Sequence, residues 1–321
     1  MAEIEQMTIR MRKHARSGAV FSELALGNAS WGNLAGAEGD AQAAEVLALA
    51  WEKGVRYFDT APYYGGGLCE TRLGNGLRWM PRSEFLLSSK VGIELDPHNR
   101  RPALAGGYVN NLGFGAVCDY SADGIARSLD ASLHRLGMPR LDLAFMHGMS
   151  VCPNGAVAAL ETGMPALLGL RDQGLLSMAG LGANSAELAL EFVNRFDLDI
   201  LLFASGFSLA DHAGAEPVLR ACRDRGIAVL AAAPFANGRY FAPANAEFRQ
   251  RLGLVCARFG VSEMAAVMQF GLLETSVTSV LWSTGTPDNL RKTVAAYHEV
   301  IPPDFWGACH RAGLVSEYVN F

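Results

Sequence analysis

The chain has 321 residues, half of them apolar and 18% charged, with a formal net charge of −5. That length and apolar content suit a large buried core and exclude a disordered chain. The acidic balance excludes a general attraction to nucleic-acid phosphates or anionic membrane surfaces.

Short apolar runs alternate with amphipathic ones along the chain. The opening MAEIEQMTIRMRKHAR has no apolar h-region, and no run of about 18 apolar residues follows, so neither a secretory signal nor a membrane span is expected and the expected compartment is the cytoplasm. Strands are predicted at 24–26, 55–58, 85–88, 141–146, 177–181, 200–203, 227–231 and 277–281. Helical patterns fall between them, at 41–52, 121–136, 165–172, 186–195, 217–225 and 288–299. Pro165 and Pro217 suit first helical positions, where a missing N–H costs nothing. Gly54, Gly137, Gly174 and Gly226 each stand between a helix and the next strand, as left-handed C-caps do. Eight continuously apolar strands alternating with helices predict an α/β fold, a closed (β/α)8 TIM barrel, with a C-terminal helical extension. No composition break divides residues 1–321, so a single domain is expected. Between Lys90 and Ser121 the rhythm breaks into DPHNRRPALAGGYVNNLGFGAVCDY, a Gly-, Pro- and Asn-rich stretch read as a long loop after strand 3, lying over the active site. The six cysteines form no CxxC pair and no zinc-ligand spacing; reduced, mostly buried thiols and no metal are expected.

Polar residues close several of the apolar runs. The second strand ends in Asp59, the third leads to Lys90, the fourth ends in His147 and the fifth leads to Asn184. In a (β/α)8 barrel the carboxyl ends of the strands form the rim where chemistry is done. Taken singly, Asp59 reads as a cap, Tyr64 as a loop aromatic, Lys90 as a solvated strand end and His147 as a core histidine. Four such groups on one rim are a constellation.

The stretch Phe58-Asp59-Thr60-Ala61-Pro62-Tyr63-Tyr64-Gly65, with Glu70 and Leu73-Gly74 after it, resembles the signature after strand 2 of the aldo-keto reductases. Ser88-Ser89-Lys90-Val91 resembles the family's lysine strand and Phe145-Met146-His147 its histidine strand, and the likeness runs from about Leu24 to Tyr297. The resemblance implies a catalytic set of Tyr64, Asp59, Lys90 and His147. In it the Tyr64 phenol moves a proton at a carbonyl or hydroxyl oxygen, Lys90 draws that phenol toward tyrosinate, Asp59 holds Lys90, and His147 orients the substrate.

The resemblance also implies a nicotinamide dinucleotide across the barrel mouth, contacted by Asn28, Asp59, Asn184, Pro234, Phe235, Gly238, Arg239, Ser283, Thr284, Gly285 and Asn289. Thr286 and Pro287 would open the last helix as N-cap and first residue, leaving free N–H groups for phosphate. Gly180-x-Gly182-x-x-Ser185 also reads as a broken dinucleotide fingerprint, lacking its third glycine. Ala204 stands where a glutamine is expected and Ala232 where many members stack an aromatic. Ser283 and Asn289 replace basic residues of NADPH-preferring members, and Asp288 would repel a 2′-phosphate, so NAD is expected over NADP, with Arg291 and Lys292 close enough to admit the latter. The stretches Phe114–Val117, Asp119-Tyr120-Ser121 and Arg127–Gly137 resemble most closely the branch of D-threo-aldose 1-dehydrogenases and pyridoxal 4-dehydrogenases. That branch oxidises a cyclic hemiacetal to a lactone. It often carries Asp after the histidine, where this chain has Gly148. Trp31, Tyr63, Tyr108, Phe114 and Gly148 are the expected substrate wall. A small-molecule substrate is expected, with no nucleic-acid or membrane partner. Rival readings are an NADPH-dependent aldehyde or ketone reductase, a barrel that senses cofactor without catalysis, and a barrel hydrolase or aldolase with Lys90 as nucleophile.

Overall fold

The computed structural model of the protein describes residues 8–34, 36, 39–98, 107–109, 112–204 and 206–319. An antiparallel hairpin, β1 (Met11–Lys13) and β2 (Val20–Ser22), precedes β3 (Leu24–Gly27), α1 (Asp40–Glu52), β4 (Tyr57–Asp59), α2 (Leu68–Leu77) and β5 (Leu86–Val91). A second antiparallel hairpin, β6 (Ile93–Asp96) and β7 (Gly115–Cys118), leads to α3 (Ala122–Leu136) and β8 (Leu143–Met146). Then α4 (Gly155–Ala158), a π turn (Ala159–Gly163) and α5 (Met164–Asp172) are followed by β9 (Met178–Ala183), α6 (Ala186–Arg195), β10 (Ile200–Ala204), α7 (Glu216–Arg225) and β11 (Ala228–Ala232). The described chain closes with α8 (Ala246–Phe259), α9 (Glu263–Phe270), β12 (Val277–Ser283), α10 (Pro287–His298) and α11 (Asp304–Arg311). Strands β3, β4, β5, β8, β9, β10, β11 and β12 pair in that order, all parallel, and β12 returns to β3: a closed eight-stranded barrel, as the alternation predicts.

Strand alternation sorts the side chains into two cores. Phe21, Tyr57, Leu143, Phe145, Met178, Ile200, Leu202 and Leu230 fill the barrel interior, while Phe58, Leu87, Ala144, Leu201 and Val229 face the helices. Phe21, on the hairpin that precedes the barrel, meets Tyr57 edge-on at 5.3 Å between ring centroids. The interior below the rim is thus packed.

The structure differs from the sequence-predicted elements in four places. Asp59 ends its strand as expected, but Lys90 lies inside its own, because its backbone pairs with Phe145 and its side chain with Asp59. Helix α2 carries Gly74 and Gly76, which weaken a helical pattern; a Cβ on Gly74 would sit 2.0 Å from the Leu136 carbonyl oxygen, so the residue is there for close approach to α3. The stretch between Lys90 and Ser121 contains the β6–β7 ladder, Ile93 opposite Cys118 and Leu95 opposite Ala116, where a long loop over the active site is expected. That ladder brings Cys118 beside the turn after β8, and Cys118 and Cys152 form a disulfide with Cα atoms 5.8 Å apart. The expectation of six reduced thiols is corrected there, since a spacing of 34 residues gives no sign of that proximity; Cys69, Cys222, Cys256 and Cys309 stay buried thiols. Gly54, Gly137, Gly174 and Gly226 are all left-handed, as caps require. No single helix among the described residues is long and apolar enough to cross a membrane.

Candidate active site

The carboxyl ends of three neighbouring strands, β4, β5 and β8, meet at the barrel mouth. Asp59 closes β4 and Lys90 lies next to the end of β5, each only 2% exposed, a burial that an unpaired charge would not tolerate. They satisfy one another: the Lys90 ammonium donates to Asp59 Oδ2 at 2.5 Å and to the Thr60 carbonyl at 2.8 Å. The other carboxylate oxygen accepts from the Ser88 hydroxyl at 2.6 Å, and Ser88 Oγ lies 3.0 Å from the Tyr57 hydroxyl. Asp59 is therefore held from two sides, and it holds Lys90.

Tyr64 sits above this pair at the start of a short turn, Tyr64–Gly67, that runs straight into α2. Gly65 and Gly66 are left-handed there, and a Cβ on Gly65 would lie 2.5 Å from Gly32 Cα, so this turn packs directly against the loop after β3. Lys90 Nζ is 4.9 Å from the centre of the Tyr64 ring, and the His147 ring meets Tyr64 edge-on at 6.2 Å. His147 follows β8; its N–H donates to the Val91 carbonyl, and its own carbonyl accepts from the Tyr120 hydroxyl at 2.7 Å. Phenol, ammonium, carboxylate and imidazole thus share one rim.

The electrostatics correct one expectation. Burial and the nearby Lys90 ammonium push the His147 imidazole down to about 3, so it is neutral across the ordinary pH range. The Tyr64 phenol is not drawn toward tyrosinate: burial and then the Asp59 carboxylate raise it well above its usual value. Lys90 is engaged by Asp59 at ion-pair distance, so the positive charge expected to favour tyrosinate is largely compensated. Left to the protein alone, Tyr64 is a phenol that gives a proton, next to a histidine that can accept or donate one hydrogen bond.

A cavity of about 270 Å³ opens beside these groups. Its lining includes Tyr63, Tyr64 and His147 on one side, Gly148, Met149, Ser150 and Val151 on another, and Gly182, Asn184, Ser185 and Leu188 opposite. Asn184 therefore shares one space with Tyr64 and His147. Gly148, expected in the wall, is there; Met149, Ser150, Val151 and Leu188 are not among the residues sequence reasoning selects, and neither are Ser88 and Tyr120, which act on Asp59 and His147 across 29 and 27 residues. Distances of that kind leave no local signal.

The other expected wall residues divide. Tyr108 pairs with Leu34 in an isolated antiparallel bridge, and its ring meets Tyr63 at 6.0 Å and Tyr64 at 6.4 Å, so this part of the long segment does lie over Tyr64. Phe114 is half-buried just before β7, with no ring contact to Tyr63, Tyr64 or Tyr108. Trp31 is fully buried and its indole N–H donates to the Thr284 carbonyl at 2.8 Å, which makes it a strut between the loops after β3 and β12. Gly148 is left-handed, and a Cβ there would meet Ile93 Cδ1 at 2.4 Å.

Residues expected to hold a dinucleotide lie around the same mouth. Asn28 donates to the Cys69 carbonyl, while its buried side-chain oxygen and the buried Thr60 hydroxyl have no partner among the described residues. Ser283 Oγ is 3.1 Å from Ser30 Oγ, and Gln42 donates to the Gly285 carbonyl at 2.5 Å. Thr286 caps α10 by accepting from the Asn289 N–H, with Pro287 next, so this helix start is built as expected. Asp288 is paired with Lys292 at 2.7 Å, and Ser283 and Asn289 are exposed. After β11, Ala233, Ala236, Asn237 and Gly238 all have positive φ. Pro234 is buried, Phe235 stacks on Phe241 at 5.7 Å, and Arg239 donates back to the Ala236 carbonyl at 3.2 Å. Left-handed non-glycine residues are costly and cluster where backbone is shaped for a ligand. Orphaned acceptors, a capped helix start and this shaped loop fit a dinucleotide. Ala204 is half-buried and Ala232 buried, and neither supplies an amide or a ring.

A closed parallel barrel with a proton-bearing phenol and a buried ion pair at its carboxyl rim defines a barrel oxidoreductase. Residues 23–313 match the model of the aldo/keto reductase family, and the chain belongs to that family. It is 32% identical to a pyridoxal 4-dehydrogenase of Microbacterium luteolum, over 95% of this chain and 98% of that one. It is equally 32% identical to a D-threo-aldose 1-dehydrogenase of a Pseudomonas species, over 94% and 97%. Among solved structures, an aldo-keto reductase of Bacillus halodurans in its holo form superposes with a TM-score of 0.73 at 20% identity, covering 98% of this chain and all of that one. The chain is an oxidoreductase acting on CH–OH or carbonyl groups of a small molecule, with a nicotinamide dinucleotide as its cofactor class.

Proposed function

We propose that this chain is an NAD-dependent dehydrogenase of the cytoplasm, acting as one domain, that oxidises a cyclic hemiacetal to its lactone with Tyr64 as acid/base. The observation that carries the reading is the Asp59–Lys90 pair buried beneath the Tyr64 ring, with neutral His147 on the same rim. Bound nicotinamide supplies the hydride acceptor. Tyr64 exchanges a proton with the substrate oxygen, His147 holds that oxygen through a hydrogen bond, and Lys90, fixed by Asp59 beneath the Tyr64 ring, offsets with its residual charge part of what is left on the phenol oxygen as the proton moves. Asn28, Thr60, Asn184, Arg239 and the Ser283–Asn289 stretch would bind the dinucleotide. The absence of a basic side chain at 283 and 289, with Asp288 between them, supports NAD over NADP.

The names of both relatives support hemiacetal oxidation. The cavity favours the pyridine over the sugar. Gly148 has no room for the side chain that would meet a sugar hydroxyl, and Met149, Val151 and Leu188 give the wall an apolar cast. The reductive reading draws support from one observation, the raised Tyr64 phenol, which is a proton donor as it stands. Initial rates of NADH formation with NAD and either pyridoxal or L-fucose, beside NADPH oxidation with a simple aldehyde, separate the readings. Turnover with NAD and pyridoxal is expected to exceed the others. Turnover confined to NADPH and the aldehyde would overturn the dehydrogenase reading.

A further inference from the structure

The disulfide joins two pieces of the active-site rim. Cys118 closes β7, and Cys152 lies in the turn after β8, immediately beyond the cavity-lining residues Gly148–Val151. That turn is held mainly by its own backbone, Val151 and Cys152 N–H to the Gly148 carbonyl and Gly155 N–H to the Cys152 carbonyl. The cross-link is thus the covalent anchor of a wall held otherwise by short-range turn bonds and by the burial of Gly148 against Ile93 and of Met149 in the core, with Ser150 and Val151 left exposed.

A barrel with a core this large does not need a disulfide to fold, unlike a small secreted domain. The bond joins the end of the β6–β7 hairpin to the turn after β8, both outside the barrel strands themselves. Cys118 is half-buried and Cys152 buried, so an external thiol meets Cys118 first. The remaining thiols are poor competitors: burial raises Cys222 and Cys309 to about 12 and Cys256 to about 11, and Cys69 is fully buried.

We propose that Cys118–Cys152 is a reversible thiol–disulfide exchange site that sets substrate affinity, the oxidised cross-link holding residues 148–151 in place and the dithiol releasing them. The proposal rests on the reading of this cavity as the substrate site. The exchange is a two-electron step. An external dithiol attacks Cys118 Sγ through one thiolate, the S–S bond breaks, and its electron pair leaves on Cys152 Sγ, which takes a proton from water. The second external thiolate then displaces Cys118 from the mixed disulfide, giving two protein thiols and one oxidised external disulfide. Oxidised glutathione runs the exchange in reverse. Tyr64, Lys90 and Asp59 lie outside the segment that the cross-link closes, and His147, inside it, is held by its own backbone bonds to the Val91 carbonyl and the Tyr120 hydroxyl, so the proton step is left alone and substrate binding changes.

The test compares the full chain after dithiothreitol with the same chain after oxidised glutathione, and with the Cys118→Ser/Cys152→Ser double variant. Native alkylation followed by mass measurement reports the bond, steady-state kinetics with NAD report KM and kcat separately, and amide exchange reports residues 148–155. Reduction is expected to expose the two thiols of the bonded pair, raise KM several-fold at unchanged kcat and speed exchange in the turn. The double variant is expected to match the reduced chain and to ignore dithiothreitol. Equal KM and equal exchange in two forms of different thiol count would overturn the proposal, as would two alkylatable thiols surviving oxidised glutathione. Failure of the dehydrogenase reading would look different: no turnover in either form, with the exchange contrast intact.

Discussion

At the scale of single residues, the site depends on where charge is compensated. Lys90 is buried, so its ammonium is balanced by Asp59 and is only weakly available to the phenol. Tyr64 accordingly titrates above its ordinary value of about 10, and below that pKa the tyrosinate fraction rises about tenfold per pH unit. Oxidation needs the basic form, so log kcat/KM for oxidation is expected to climb with a slope near one from about pH 6 to about pH 9. Reduction needs the phenol and is expected to stay flat over the same range. His147, at about 3, adds no limb above about pH 4. Rate profiles in both directions check this, and an oxidation plateau below about pH 8 would contradict it. The residue types of the site were legible in the sequence because Asp59, Tyr64, Lys90 and His147 sit at fixed offsets from apolar runs. The compensation was not legible, because it depends on a 2.5 Å contact between strands 31 residues apart.

At the scale of elements, the helices act on the site through close backbone approach. Helix α2 lies on α3 at Gly74, and from the next turn of α2 Glu70 reaches inward, accepting from the Ser89 hydroxyl at 2.7 Å and from Arg135 at 2.5 Å. Ser89 precedes Lys90, so the docking of α2 is tied to the lysine strand. Gly74→Ala places a methyl on the Leu136 carbonyl and is expected to cost about 1–3 kcal/mol, read as a lower denaturant midpoint at unchanged slope. An unchanged midpoint would show that α2 can pull away freely. The periodicity that revealed α1, α3, α6 and α10 fails at α2, where glycine lowers propensity in exchange for contact. The β6–β7 hairpin was hidden for another reason. Its turn signals merge with the rest of a Gly-rich segment, and the pairing of Ile93 with Cys118 spans 25 residues.

At the scale of the molecule, the direct parallel pairing of β4, β5 and β8 makes the ends that carry Asp59, Lys90 and His147 neighbours, and the turn after β4 brings Tyr64 to them. Alternation makes the sheet parallel, and the count of eight strands with the chain's length favours a closed barrel paired in sequence order over an open doubly wound sheet, which is the order found. The disulfide and the 148–151 wall arise from how loops fold over that rim, and composition carries no trace of that folding. The account's central claim is that the Tyr64 phenol moves the proton at the substrate oxygen while the Asp59–Lys90 pair and His147 hold the geometry. Steady-state turnover of Tyr64→Phe with NAD across a panel of hemiacetals tests it most directly, with NADH binding measured by fluorescence in parallel. The account predicts kcat lower by about two to four orders of magnitude with NADH affinity retained. Turnover within a few-fold of the parent chain would contradict it.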